Sequence, residues 1–259
     1  ETPYNVEVEP AKNSQQGKNT RTMTASALNG ELDRRIAINS DQLDWTASPG
    51  GEVLRKRLHR VGPPESGQVT SIVRYQPGSE FPRHEHPEGE EILVLEGVFS
   101  DEHGDWPAGT YLLNPEGFSH RPFSREGCLL LVKLRQYPGR ERRHVTLATG
   151  DSVWRPSIRP GVYWKKLYAQ EPFSDHMRLE RWTYPGDVGV LNFPQGAELF
   201  VESDRLERRQ TVGQRRLAVL VPEEAGVGQT RGEHALIARL DRRAPVGGDL
   251  VGDDDEVWR

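Results

Sequence analysis

The chain has 259 residues, 34% hydrophobic and 28% charged, which suffices for two ordinary domains or one large barrel under a heavily charged surface. A formal net charge of −5, from 34 basic and 39 acidic residues, gives no general attraction to nucleic acid or to an anionic membrane. No run of about 18 apolar residues exists to cross a bilayer, and the single cysteine, Cys128, excludes an intrachain disulfide.

Residues 1–38 read as a polar N-terminal arm, with no apolar periodicity over the first 30 (AKNSQQGKNTRT). The chain begins at Glu1 rather than Met, and a cytoplasmic protein is the default expectation. From Ile36 onward, short alternating or apolar runs are broken by Pro and Gly. GQVTSIVRYQPG, EEILVLEGVF, GTYLLNPEG and GCLLLVKLRQ have the length and composition of strands in an all-β barrel or sandwich. DEHGDWPAG carries the turn signals of a hairpin. No long amphipathic helix is present, and QLDW and GDSVW start short helical turns at most. Cys128, inside CLLLVKL, reads as a small core residue rather than a redox centre.

The chemistry concentrates between residues 78 and 124. His84 and His86 are two apart, so on a strand both side chains leave one face. Glu90 keeps that parity if the extended run resumes after the Pro87-Glu88-Gly89 break, and His120 arrives from a later strand. Three imidazoles and a carboxylate on one barrel interior make a ligand set for one divalent transition metal: Fe(II), Mn, Ni, Zn or Cu. Buried together without a metal or partner they would be costly. Glu91 faces the opposite way, onto a solvated or salt-bridged surface, and His103 belongs to the DEHGDW turn. Phe81, Tyr111, Phe118 and Arg74 are the candidates for lining a small-molecule pocket at the mouth. No phosphate loop, Gly-x-Ser-x-Gly or Cys/His nucleophile pair occurs.

In words, the pattern is glycine, five residues, His-x-His, three residues, Glu, six residues, glycine. Glycine, five residues, Pro-x-Gly, two residues, His and three residues to Ser124 follow. It resembles the paired motifs of the cupin superfamily, in which Asn usually stands where Ser124 is. EEILVLEGVFSDEHGDWPAGTYLLNPEGFSH followed by GCLLLVKLRQ is similar to the ChrR-type cupins, a resemblance that covers residues 45–137. That group is named after the C-terminal domain of an anti-sigma factor and also holds stand-alone cupins resembling diketone- and acetophenone-cleaving dioxygenases. The resemblance implies a double-stranded β-helix (jelly-roll) fold, His84, His86, Glu90 and His120 as metal ligands, and pairing of barrels, across a homodimer or within the chain.

An internal repeat sets the expected architecture. Trp45, Val53, Lys56 and Leu58 fall on Trp154, Val162, Lys165 and Leu167 at a shift of 109, and GCLLLVKL resembles HALIARL. Two tandem cupin barrels are therefore expected: a metal-binding one over 39–147 and a degenerate one over 148–259. At a shift of 108, His84 falls on Asn192, His86 on Pro194 and Glu90 on Glu198, while VPEEAGVGQ offers no fourth histidine. His176 and His234 match no ligand position and read as surface or strand residues. Two functions follow. One is a metal-dependent dioxygenase, iron-dependent by the resemblance, acting on a small chelating carbonyl. The other is a metal or small-molecule sensor that regulates transcription. Residues 1–44 contain no His or Cys, so they do not supply the zinc-binding helical domain that an anti-sigma factor of this kind carries before its cupin.

Overall fold

The computed structural model describes residues 27–30, 36–48, 51–63 and 66–182, and the segments 190–191, 197–203, 216–220, 225–226 and 234–240. Among these residues the chain is β throughout, with two 3₁₀ turns, Ser40–Gln42 and Thr149–Asp151, and no α-helix. Among the described residues no helix is long and apolar enough to cross a membrane. The strands of the first half are β1 (Ile36–Ile38), β2 (Thr46–Ala47), β3 (Val53–Val61), β4 (Gln68–Tyr75), β5 (His84–Glu85) and β6 (Glu90–Asp101). They continue with β7 (Gly104–Pro107), β8 (Thr110–Asn114), β9 (Ser119–His120), β10 (Cys128–Leu134) and β11 (Val145–Ala148). The second half has β12 (Arg155–Pro156), β13 (Val162–Ala169), β14 (His176–Trp182) and β15 (Val190–Leu191). It ends with β16 (Ala197–Ser203), β17 (Arg216–Leu220), β18 (Ala225–Gly226) and β19 (His234–Leu240).

One sheet runs β11-β8-β6-β10-β4-β3-β2, with β7 hairpinned onto β6. A second runs β1-β17-β16-β19-β14-β13-β12, and β5-β9 and β15-β18 are separate ladders. The apolar runs EEILVLE and CLLLVKL are nearly continuous because their strands are buried on both faces. Ile92 and Val94 of β6 join Val53, Tyr75, Leu130 and Val132 in a core on one face of the first sheet. Leu93 and Leu95 of the same strand face the other way, onto Leu131, Leu167, Met177 and Phe200 between the two sheets. Cys128 lies in the inner core, where burial pushes its thiol up to about 11 and keeps it protonated.

The two long sheets repeat one another in detail. Lys56 lies 4.8 Å above the Trp45 ring and donates to Ser40 O at 2.8 Å; Lys165 lies 4.5 Å above Trp154 and donates to Thr149 O at 2.5 Å. Arg74 covers Trp45 and Arg181 covers Trp154. Even the irregularity recurs, since the β3-β4 register slips between Arg57 and His59 and the β13-β14 register between Lys166 and Tyr168.

Two expectations change. The residues of the arm nearest the barrel are structured: Leu28 pairs with Arg60, and Ile36–Ile38 form β1, whose IAI is too short to show periodicity in the sequence. β1 edges the second sheet through β17, whereas β11, its counterpart after the first half, edges the first sheet through β8. The repeats therefore exchange their first strands. The alignment of Glu90 with Glu198 is also off by one residue. Glu91 pairs with Lys133, which pairs with Thr70; Glu198 pairs with Arg239, which pairs with Met177. Glu90 instead shares its place with Ala197, which pairs with Leu240 as Glu90 pairs with Leu134. A slip of one residue exchanges the faces of a strand, and Glu198 accordingly meets Lys133 at the seam between the sheets, 2.6 Å away. Asn192 and Pro194 lie outside the described residues. His176 and His234 both sit in strands, paired in register with Leu240 and Trp182.

Candidate metal centre

The β5-β9 ladder places His84 directly opposite His120, and β6 begins at Glu90 one tight turn after His86. Gly89 closes that turn at φ 72°, and an added Cβ there would press on Tyr137. Beyond it, β6 runs on past Gly97, also at φ 72°, where a Cβ would collide with the Gly127 carbonyl. The strand leaves β10 there, pairs with β7 and brings Asp101 to His120. Ser124, at the position where Asn is usual, is fully buried and donates to Val98 O at 2.6 Å, so it ties β6 to the second motif.

The donor atoms converge. His86 Nε2 and His120 Nε2 are 3.0 Å apart, and Glu90 Oε2 is 3.3 Å from the first and 3.5 Å from the second. The nitrogens of His84, His86 and His120 lie within 4.8 Å of one another, and these three histidines could hold a metal ion. Donors at about 2.0–2.2 Å from a common ion stand roughly 3–3.5 Å apart when neighbouring, which is the spacing of His86, His120 and Glu90. The tautomers suit the same role. His120 Nδ1–H donates to Asp101 Oδ2 at 3.1 Å and His84 Nδ1–H to Pro82 O at 2.8 Å, leaving each Nε2 lone pair for the centre. Asn114 Nδ2 donates to Glu90 Oε2 at 2.9 Å and orients that carboxylate. His86, Glu90 and His120 are 6%, 7% and 1% exposed, whereas His84 is open to solvent.

Electrostatics separate the two buried imidazoles. Burial pulls His86 below the usual histidine value against the Glu90 charge. Burial also acts to lower His120, but the Asp101 hydrogen bond and the Glu90 and Asp101 charges outweigh it and hold that ring above the usual value. The Tyr75 phenol is pushed well up by burial and by Glu90, so it stays protonated.

His84, His86 and Glu90 line a cavity of about 350 Å³ in the first half of the chain. Phe81 lines it together with Tyr75, Phe99, Ile92, Leu130 and Val132. Tyr111, Phe118 and Arg74 do not. Tyr111 is on the opposite face of its sheet, in the core between the sheets. Phe118 stands behind His120, stacked on His144 at 4.7 Å. Arg74 lies on the outer surface over Trp45, 4.3 Å from the ring centroid. His103 is in its expected turn, its backbone N–H donating to Asp101 Oδ1. Glu91 is ion-paired as expected but buried rather than solvated, between Tyr137 and Lys133. Arg55, Ser71, Tyr75 and Asp101 are the site residues that sequence reasoning missed; the alternation of GQVTSIVRY places Ser71 and Tyr75 on one face and could have found those two.

An all-β barrel with imidazoles and a carboxylate converging at its open end is a cupin. Residues 33–138 match the ChrR cupin-like domain. Three solved structures share the fold. A candidate dioxygenase from Nostoc punctiforme is 14% identical over 81% of this chain and 83% of that chain, with a TM-score of 0.59. A candidate glyoxylate-induced protein from Pseudomonas aeruginosa is 12% identical over 86% and 98%, TM-score 0.51. AerE from Microcystis aeruginosa is 12% identical over 81% and 97%, TM-score 0.50. At these identities the likeness is one of fold alone. No curated protein matches the chain.

Proposed function

We propose that the chain is a metal-dependent dioxygenase acting on a small chelating carbonyl or diketone-like substrate, with one divalent ion held by His84, His86, Glu90 and His120. Iron(II) is the ion this reading calls for; when bound it would supply Lewis acidity toward the substrate oxygens and a place for O₂ beside them. The observation that carries the reading is the convergence of those donors at a largely apolar cavity of about 350 Å³, with His84 exposed at its mouth. Phe81, Phe99 and the aliphatic wall would exclude water from a bound carbonyl compound. Tyr75, held protonated, can donate a hydrogen bond but not act as a base. Ser71 is the one aliphatic hydroxyl lining the cavity, and no base is hydrogen-bonded to it among the described residues, so nucleophilic catalysis has no candidate there. The second half, with Ala197 in the place of Glu90, would act as a degenerate barrel that supports the first.

A second reading is a small-molecule sensor acting through a transcription factor, and the match to the ChrR cupin-like domain favours it. One experiment separates them. Protein purified without added metal is analysed for its elements, then loaded with Fe(II) and tested for oxygen uptake against a panel of β-diketones and acyl phenols. Uptake that depends on the substrate and is lost in His86→Ala supports the enzyme. A stoichiometric metal with no uptake on any of them favours the sensor.

A further inference from the structure

Ser71 sits in the middle of β4, 2% exposed, and lines the cavity on the same face as Val69 and Val73. Its Oγ has no hydrogen-bond partner among the described residues. A buried hydroxyl without a partner carries a desolvation cost that an apolar side chain of similar size would avoid. The rest of the aliphatic wall, from β3, β4 and β10, is valine and leucine, so the hydroxyl is an exception that packing does not require. Arg55, on the adjacent strand, lines the same cavity. Its Nε donates to Ser48 Oγ at 2.6 Å, which holds the guanidinium in place. Ser71 is paired with Arg57 and Val73 with Arg55, so Ser71 and Arg55 are diagonal neighbours across β3 and β4.

The pair lies away from the metal donors. Ser71 is in register with Val132 and Val132 with Ile92, and Glu90 is the next residue on the inner face of β6 after Ile92. Two strand spacings of about 4.8 Å and one two-residue step of about 7 Å put the Ser71 and Glu90 backbones roughly 12 Å apart. That span, less the side chains, is the length of a small arylalkyl skeleton. We propose that the cavity takes an elongated organic acid. Its chelating oxygens face the histidines, its apolar body lies along the aliphatic wall, and its distal carboxylate is received by Ser71 Oγ–H and the Arg55 guanidinium. This rests on the metal-centred reading above. A neutral distal group would use the serine alone. The cation beside it selects a carboxylate, through charge-assisted hydrogen bonds that are about twice as strong as neutral ones.

The test compares benzoylacetone with its para-carboxylate, two probes that differ only at the distal end. Binding to the full chain loaded with Zn(II) is measured by calorimetry, with metal content measured on the same samples. The carboxylate should bind about 10-fold or more tighter, the gain expected of a charged hydrogen-bonded group. Ser71→Ala should reduce that preference several-fold, and Arg55→Met should abolish it, with benzoylacetone affinity and metal content unchanged in both. Should Arg55→Met fail to fold, the conservative Ser71→Ala carries the same comparison. Equal affinity for the two probes overturns the proposal and leaves the metal-centred reading standing. If neither probe binds to fully loaded protein, the chelating reading falls and this proposal with it.

Discussion

His120 has both ring nitrogens engaged: Nδ1 with Asp101 and Nε2 with His86 and Glu90. Asp101 in turn accepts the backbone N–H groups of His103 and Gly104, so its carboxylate is fixed before any ion binds. Asp101→Asn should therefore leave the fold intact and weaken metal binding by about 10–100-fold, the range for a carboxylate that orients a histidine ligand; a chelator competition assay with an unchanged dissociation constant would refute it. The pH dependence follows from the same contact. Without an ion, His120 holds its proton above the usual value of about 6.5. That proton stabilises the ion-free fold below about pH 6.5, and the contribution is lost as pH rises through the raised value. Metal binding has the opposite sign, because the ion must displace the proton. Occupancy should begin to fall above pH 6.5 on acidification, with His86, held below the usual value, joining only at lower pH. Asp101→Asn should move the onset to lower pH; an onset that does not move would separate Asp101 from the site. His84, His86, Glu90 and His120 were legible because spacing on a strand fixes which face a side chain leaves. Asp101 was not, because its approach to His120 depends on the end of β6 leaving β10 to pair with β7, which no local spacing records.

The strands were legible for a similar reason, since runs buried on both faces are apolar throughout, yet their register was not. Nothing in AELFV says whether Glu198 corresponds to Glu90 or to its neighbour, and the two choices put the carboxylate on opposite faces. The pairing with Arg239 settles it toward Glu91, and Glu198 becomes part of a buried seam with Lys133. Burial alone would raise the Glu198 carboxyl, but the Lys133 charge and hydrogen bond hold it below the usual value. Stranding a buried charge completely costs about 3–5 kcal/mol, but Lys133 also has Glu91 at 3.8 Å. Glu198→Ala should thus lower unfolding free energy by less than that amount without changing metal content. Lys133→Met with Glu198→Leu should not recover it fully, because Glu91 then loses its cation. Denaturant titrations of the two variants decide this, and a loss of metal in Glu198→Ala would return the residue to a ligand role. With its folded value depressed, Glu198 contributes stability that is present above about pH 4.3 and lost as the pH falls through its folded value.

At the scale of the whole chain, neither repeat completes its own sheet. β1, the first strand of the first repeat, closes the edge of the second sheet on β17, while β11, the first strand of the second repeat, closes the first sheet on β8. Ile38 packs on the core between the sheets, so the exchange ties both halves to one apolar seam. The turns that follow these strands are held from the opposite direction, by Lys56 on Ser40 O and Lys165 on Thr149 O, so each repeat keeps its turn and gives away its strand. The exchange was not legible in the sequence, because the repeat aligns equally well whether its first strand stays or crosses. An unpaired edge strand exchanges its amides readily and recruits other chains. Removing residues 1–38 should therefore expose β17 while leaving β8 covered. In hydrogen exchange, protection at 216–220 should drop to that of an edge strand, protection at 110–114 should hold, and larger species should form as concentration rises. Arg60 should also lose protection, since Leu28 pairs with it, so the contrast between 216–220 and 110–114 is the deciding signal. Equal, unchanged protection in both segments would mean that β1 contributes nothing to the second sheet and that the two halves are joined by the seam alone.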